Sequence, residues 1–209
     1  MKTYSTPYVL GYVCTLGVSA ALLLTGVGQL TRPLKEANAK ADKIRNILGV
    51  LGVPVTPGAR AQELAAAFEA SVRVDGEGHA ARYRYVEGGE TRVIAVPVDG
   101  PGLWGPIHGF LALEPDLRTI RGITFHEQEE TPGLGGEIAS PAFRQKFAGK
   151  SIVGADGTPG FFIRPAGSAA PGPNEIDGIT GATLTCDKVA AMLNRTIAQL
   201  KEEPTHGGN

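Results

Sequence analysis

Three threonine hydroxyls and two glycines lie close together in Asp177-Gly178-Ile179-Thr180-Gly181-Ala182-Thr183-Leu184-Thr185. A stretch with helical periodicity follows, so backbone N–H groups of this segment belong to a helix N-terminus, where partial positive charge favours an anion. The glycines leave room for a phosphate to approach. The same residues also suit a simple N-cap, because the side chain of Asp177, Thr180 or Thr183 could accept a hydrogen bond from the first turn. The pattern alone leaves both interpretations open.

A second unusual stretch reads Glu130-Thr131-Pro132-Gly133-Leu134-Gly135-Gly136-Glu137. Three glycines around one leucine let the backbone lie close against a flat group, with Leu134 as the large side chain in contact with it. The alternative is a glycine-rich turn that leaves a strand, and on the pattern alone that alternative is favoured.

Other chemically active side chains carry weaker arguments. The group His126, Glu127, Glu129 and Glu130 imitates a metal site, but alternating polar residues at a solvated strand end are commoner, so we predict no metal. The other histidines are isolated in the sequence, and we predict no catalytic acid or base. The single tryptophan, Trp104, has core packing as its default role.

The charged residues divide the chain into two parts. Of 20 basic and 21 acidic side chains, Lys2 alone precedes Arg32. The uncharged stretch 4–31 is long enough to cross a bilayer as a helix, whereas a cleavable signal peptide with Ala37-Asn38-Ala39 near its cleavage site is the alternative. We predict an uncleaved anchor over residues 1–31. The net charge of −1 gives no electrostatic case for nucleic acid.

The remaining patterns predict an α+β domain built on an antiparallel sheet with flanking helices. Residues 34–51 show helical spacing and continue the anchor, and Thr56-Pro57 predicts the start of a second helix that reaches Val72. Period-two alternation predicts strands over 82–86 and 92–96. Two further strands are predicted over 108–113 and 119–126, separated by a turn at Glu114-Pro115-Asp116, and a short strand over 161–163. Ser140-Pro141 predicts a short helix to Phe147. A surface loop over 164–174 precedes a final helix over 184–200. The predicted domain limits are 1–31 for the anchor, 32–55 for the helix leading out of the membrane, 56–203 for the folded domain and 204–209 for a disordered tail.

Together the two glycine motifs resemble those of the FMN-binding domain family. Gly102-Leu103-Trp104 and the region from Gly109 to Asp116 extend the resemblance, which is strongest to the C-subunit family of sodium-translocating NADH:quinone oxidoreductases. The G subunit of the related ferredoxin:NAD oxidoreductase (the Rnf complex) is the alternative. A membrane-tethered binding module without a covalent cofactor is a second alternative.

The resemblance implies FMN joined through its phosphate to the hydroxyl of Thr183, by a separate flavin transferase that uses FAD. It implies that Thr131, Leu134 and Gly135 lie near the isoalloxazine ring. The predicted cofactor-binding residues are Thr183, Asp177, Thr180, Gly181, Ala182, Leu184, Thr185, Glu130, Thr131, Leu134, Gly135 and Trp104. Cys186 stands where the family pattern leads us to expect serine.

The implied function is electron relay inside a multisubunit redox pump, with other subunits as partners and membrane lipid around the N-terminal helix. The family pattern places the flavin domain on the periplasmic side of the bacterial inner membrane. Basic residues after the span, from Arg32 to Arg45, predict the opposite orientation by the positive-inside rule. We follow the family, because translocated domains tolerate some flanking charge.

Overall fold

The computed structural model describes residues 5–168 and 172–202. The chain divides into two units, residues 1–41 and 42–209. The tail over 204–209 that the sequence predicts to be disordered lies outside the described residues.

The first helix, α1, runs from Thr6 to Leu51 and contains Pro33. By length and composition, this helix is suited to cross a membrane, as the sequence predicts. The last turns of α1 belong to the second unit, and there the side chains of Ile47, Leu48 and Leu51 are buried. Gly52 ends the helix at φ +74°, and the N–H of Val53 donates to the carbonyl of Leu48, a glycine C-cap that satisfies the final carbonyls.

The second helix, α2, spans Ala61–Ser71, so the predicted start at Thr56-Pro57 is wrong. Pro57 lies instead in a turn in which Gly58 has φ +80° and the N–H of Ala59 donates to the carbonyl of Thr56. Helix α2 begins where Glu63 accepts a hydrogen bond from the N–H of Arg60 at 3.1 Å. It also ends before Val72, which begins a strand.

Five antiparallel strands form a sheet in sequence order, which confirms the predicted α+β class. The strands are β1 Val72–Asp75, β2 Arg82–Glu87, β3 Glu90–Pro101, β4 Pro106–Leu113 and β5 Ile120–Glu127. Gly88 and Gly89 turn β2 into β3 with φ +62° and +84°, the left-handed values that a two-residue hairpin turn requires. The sequence missed β1, a short strand at the sheet edge.

Shorter elements follow the sheet and lead to the last helix. Ser140 accepts a hydrogen bond from the N–H of Phe143 and caps α3, Pro141–Arg144, as predicted. Strand β6, Phe162–Arg164, pairs in parallel with β7, Glu175–Asp177, which the sequence did not predict. The final helix, α4, spans Thr183–Glu202.

The core lies between the sheet and α4. Three residues of the predicted α4 stripe, Val189, Leu193 and Ile197, are at most 2% exposed, and Leu200 is partly buried. They pack in one cluster with Val96, Val98, Leu111, Leu113, Ile123 and Phe125 of the sheet. This packing fixes the position of the N-terminus of α4, and with it the threonine motif over residues 177–185.

Candidate functional site

The threonine motif occupies the connection from β7 to α4. Thr183 is the first residue of α4, one position before the predicted start, and its side chain is exposed. Gly181 has φ +78°, a left-handed conformation that turns the chain into the helix. Ala182 precedes the helix and has no side-chain oxygen to cap it. The structure thus places the exposed Thr183 hydroxyl at a helix N-terminus.

The N-cap alternative finds no support in the described part of the chain. There, the side chains of Asp177, Thr180 and Thr183 form no hydrogen bond with the first turn of α4. One carboxylate oxygen of Asp177, Oδ1, is buried without a hydrogen-bond partner among the described residues. The first N–H groups of α4 therefore keep their capacity to bind an anion.

The two glycine motifs meet at Leu134 and Gly181. A Cβ atom placed on Gly181 would lie 3.1 Å from Cδ2 of Leu134, so this leucine already lies against the turn. Leu134 remains 44% exposed. Gly133, with φ +76°, and the N–H of Gly136, which donates to the carbonyl of Thr131 at 2.9 Å, shape the loop that carries it. This contact brings together the two motifs that the family resemblance assigns to one site.

Glu130 joins this loop to two other segments. Its Oε2 accepts a hydrogen bond from the hydroxyl of Thr185 in α4 at 2.6 Å. Its Oε1 accepts from the backbone N–H groups of Leu103 and Trp104 at 2.7 and 3.2 Å. Glu130 and Thr185 are only 4% and 2% exposed. The sequence predicts both as cofactor contacts; in the structure they are buried and hydrogen-bonded to each other.

Two glycines make room for this carboxylate. A Cβ atom on Gly102 would lie 2.4 Å from Oε1 of Glu130, and one on Gly135 would lie 2.5 Å from Oγ1 of Thr185. Gly135 does not have a positive φ; Gly133 does. The glycine at position 135 is therefore required by close packing of the buried pair, and not by backbone conformation.

Hydrogen bonding keeps Glu130 ionised. Burial raises the pKa of Glu130, and the hydrogen bonds from the Thr185 hydroxyl and from the Trp104 and Leu103 amides lower it. Together the hydrogen bonds outweigh the effect of burial, so the pKa of Glu130 lies below its ordinary value. An ionised carboxylate accepts all three hydrogen bonds without a competing proton.

Trp104 lies on the surface, with 70% of its area exposed, so core packing is wrong as its default role. Its backbone is held by Glu130 while its ring points away from the core. Leu103 and Leu184 are also exposed, at 45% and 60%. Glu130 and Thr185 thus join three segments, the loop of Leu103 and Trp104, the loop of Leu134, and the start of α4. Each of these segments has an exposed large apolar side chain.

Lys146 and Cys186 hold the backbone of residues 177–179, which precede α4, and the sequence pattern did not single out Lys146. Nζ of Lys146 donates to the carbonyls of Asp177 and Gly178 at 3.0 and 3.4 Å. Sγ of Cys186 accepts from the N–H of Ile179 at 3.4 Å. Burial raises the pKa of the Cys186 thiol, so at neutral pH it remains protonated.

The three described histidines lie on or beside the sheet and are not isolated in space. Nδ1 of His79 and Nδ1 of His108 lie 3.0 and 2.7 Å from the two carboxylate oxygens of Asp99. His126 stacks on Phe110, with ring centroids 5.1 Å apart. None of the three joins a group of three metal-binding side chains in the described parts of the chain.

Comparisons with known proteins show what this chain is similar to. The FMN-binding domain family matches residues 102–198, which include both glycine motifs. The C subunit of a Na(+)-translocating NADH-quinone reductase from Yersinia pestis is 39% identical over 108 residues, which are 52% of this chain and 41% of that protein. The C subunit from Pasteurella multocida is 28% identical, and the alignment covers 85% of this chain and 84% of that protein.

The alignment with the Yersinia pestis protein thus spans about two fifths of that relative. A crystal structure of the C subunit from Parabacteroides distasonis superposes with a TM-score of 0.70 at 27% identity, covering 85% of this chain and 98% of that one. The protein from Shewanella oneidensis, at 22% identity and a TM-score of 0.64, shares the fold. Residues 102–198 therefore match the model of the FMN-binding domain family, and the chain is similar to the C subunits of Na(+)-translocating NADH-quinone reductases.

Proposed function

We propose that this chain carries FMN joined by a phosphoester to the hydroxyl of Thr183. One observation carries the proposal: Thr183 is exposed at a helix N-terminus that no side chain of the described residues caps, and Gly181, two residues before it, lies against Leu134 of the second glycine motif. A phosphodiester keeps a negative charge after attachment, and the partial positive charge of the helix N-terminus stabilises it.

The surrounding residues fit a flavin in distinct ways. Thr180, Gly181, Ala182 and Leu184 flank the attachment point, and three of them are exposed, so a flavin transferase can reach the Thr183 hydroxyl. That enzyme would transfer the FMN group of FAD to Thr183 and release AMP. We take residues 177–183 as the sequence that the transferase recognises. Lys146 holds the backbone carbonyl of Asp177 at the start of this sequence.

The exposed apolar side chains supply a surface for the isoalloxazine ring. Leu134 and Trp104 lie on different loops, and Glu130 with Thr185 keeps those loops at a fixed separation. The loop of Thr131 and Gly135 provides backbone that a flat ring can approach. Bound FMN supplies reversible uptake and release of electrons; this chain's residues position it and restrict water around it.

We further propose that the chain is an electron-transfer subunit of a sodium-translocating NADH:quinone oxidoreductase, with the other subunits as partners. The support is its similarity to the C subunits of these enzymes. Helix α1 would anchor it in lipid of the bacterial inner membrane, with the flavin domain on the periplasmic side. NADH oxidation, quinone reduction and sodium movement would reside in the other subunits, and no residue of this chain acts as a catalytic acid or base.

A denaturing wash tests the covalent link. The chain is purified from cells that also produce the flavin transferase, unfolded in guanidinium, and separated from small molecules. We expect flavin fluorescence to remain with the polypeptide. Loss of all fluorescence from a chain that was yellow before unfolding would show that the cofactor is held without a covalent bond.

A further inference from the structure

A groove of about 520 Å³ lies in the second unit, between residues 45–52, β5 and α3. Three arginines line it, Arg45, Arg121 and Arg144, and we call it the arginine groove. No acidic side chain is among the described residues that line it. The groove shares no residue with the proposed flavin site, so it needs a separate explanation.

Arg144 is the most constrained of the three. One terminal nitrogen, Nη1, lies 3.4 Å from Oγ1 of Thr124, and this hydroxyl donates to Oδ1 of Asn46 at 2.7 Å. Thr124 is only 3% exposed, so this chain of polar groups is fixed within the fold. Nε of Arg144 is buried and has no hydrogen-bond partner among the described residues. The guanidinium of Arg144 is therefore held in place within the fold while part of its hydrogen-bonding capacity is unused.

Arg45 and Arg121 stand at the groove with about half of each side chain exposed. Arg45 pairs with Asp42, and Arg121 lies 3.8 Å from Glu114. Both acidic partners lie outside the lining of the groove. Exposed pairs of this kind contribute little, so a better placed anion can recruit both guanidinium groups.

The groove also has a wall without charge. Val50 and Ile123 line it, and Gly49 and Gly122 leave their part of the lining free of side chains. A ligand with an anionic end and a less polar remainder matches this combination. The volume lies in the range typical of small-ligand sites.

We propose that the arginine groove binds the phosphate group of a small organic phosphate or of a phospholipid headgroup. Phosphate fits better than a single carboxylate, because its additional oxygens can accept from more than one guanidinium group. Arg144 is the central ligand, held in place by Thr124, and Arg45 and Arg121 close over the phosphate from the solvent side.

Titration of the full chain in a neutral detergent tests this proposal. The probes are inorganic phosphate, glycerol 3-phosphate and short-chain phosphatidylglycerol, at constant ionic strength, with heat release and thermal unfolding as readouts. We expect saturable binding with one site, weakened by added salt. Arg144→Gln should weaken it roughly tenfold or more, and Thr124→Val should weaken it less, because it only frees the arginine.

Arg92→Gln is the matched control, since Arg92 lies in β3 next to the hairpin turn, outside the lining of the groove, and pairs with Glu87 and Glu90. It removes the same charge and should leave binding unchanged. If Arg144→Gln does not fold, Arg121→Gln takes its place, because its side chain is 56% exposed. The proposal would be overturned if Arg92→Gln lost as much affinity for the probes as the groove variant, or if Arg144→Gln and Arg121→Gln both bound the probes as the parent does.

The probes also distinguish the source of the phosphate. Much tighter binding of phosphatidylglycerol than of glycerol 3-phosphate identifies a lipid headgroup, and comparable binding identifies a soluble phosphate. A short polyglutamate peptide is the last probe. If it binds with Arg144 dependence and more tightly than every phosphate, the groove is a docking site for an acidic protein segment and the phosphate proposal is wrong.

Discussion

Glu130 connects three segments of the chain through one buried carboxylate. It accepts hydrogen bonds from Thr185, Leu103 and Trp104, and two glycines leave it the space to do so. Each of those donors would otherwise be left without a partner next to the core. The residue therefore determines how the exposed apolar groups of the site are spaced.

Replacing this carboxylate should make stability less dependent on pH. Because the pKa of Glu130 is lowered on folding, the ionised form stabilises the protein above the ordinary glutamate pKa, and this contribution is lost as the pH falls through the folded-state pKa. We expect Glu130→Gln to lower the free energy of unfolding by about 1–3 kcal/mol at pH 7. The difference from the parent should shrink below about pH 4.

Urea unfolding followed by circular dichroism between pH 3 and 7 measures this difference. Glu137→Gln is the control, because Glu137 lies in the same loop with an exposed side chain. An equal loss of stability in both variants, or a difference from the parent that is constant across this pH range, would contradict the assigned role of Glu130.

At the scale of elements, the site depends on contact between the loop of Leu134 and the turn before α4. We expect Leu134→Ala to keep FMN attached, because the phosphoester does not depend on packing of the ring. The midpoint potential should rise, since more water at the ring stabilises the negative charge of the reduced form.

Redox titration with visible spectra measures the effect of Leu134→Ala. Val74→Ala is the control, because Val74 is similarly exposed, at 46%, and lies on β1. If Leu134→Ala has the parent's potential and spectrum while its fold is intact, the ring lies against another part of the domain.

Elements with strong local signals were predictable from the sequence. The β2–β3 hairpin follows from alternation around Gly88-Gly89, and α3 from Ser140-Pro141. The start of α2 was not, because Thr56-Pro57 has the residue types of a helix start but Gly58 turns the chain first. Strand β7 has three residues and exists through pairing with β6, a tertiary contact that no local pattern records.

The same limit applied to the site. Its two motifs were recognisable as sequences, and Thr183 was predicted at the helix start. The exposure of Trp104 was not predictable, because it depends on tertiary structure: the backbone N–H of Trp104 is held by Glu130, 26 residues away. The hydrogen bond from Lys146 to the carbonyl of Asp177 is likewise a long-range contact.

For the whole molecule, the open question with a direct test is orientation in the membrane. The basic residues that follow the apolar stretch favour a cytoplasmic domain, and the family resemblance favours a periplasmic one. We expect Ala166→Cys, at an exposed position, to react with a membrane-impermeant maleimide in intact spheroplasts. Parent protein is the control, because Cys186 is buried and Cys14 lies in the apolar stretch.

Labelling of Ala166→Cys only in inverted vesicles would reverse the assignment. The domain would then be cytoplasmic, as the charge count predicts, and the flavin would face partners on that side.

Intact mass under denaturing conditions shows whether Thr183 carries the flavin, as we propose. Thr183→Ala and Thr158→Ala are produced with the flavin transferase, and Thr158→Ala is the control because it removes an exposed threonine hydroxyl outside both glycine motifs. We expect a folded chain without any flavin adduct for Thr183→Ala, and the full adduct for Thr158→Ala. A flavin adduct that persists on Thr183→Ala would place the attachment on another residue and overturn the proposal.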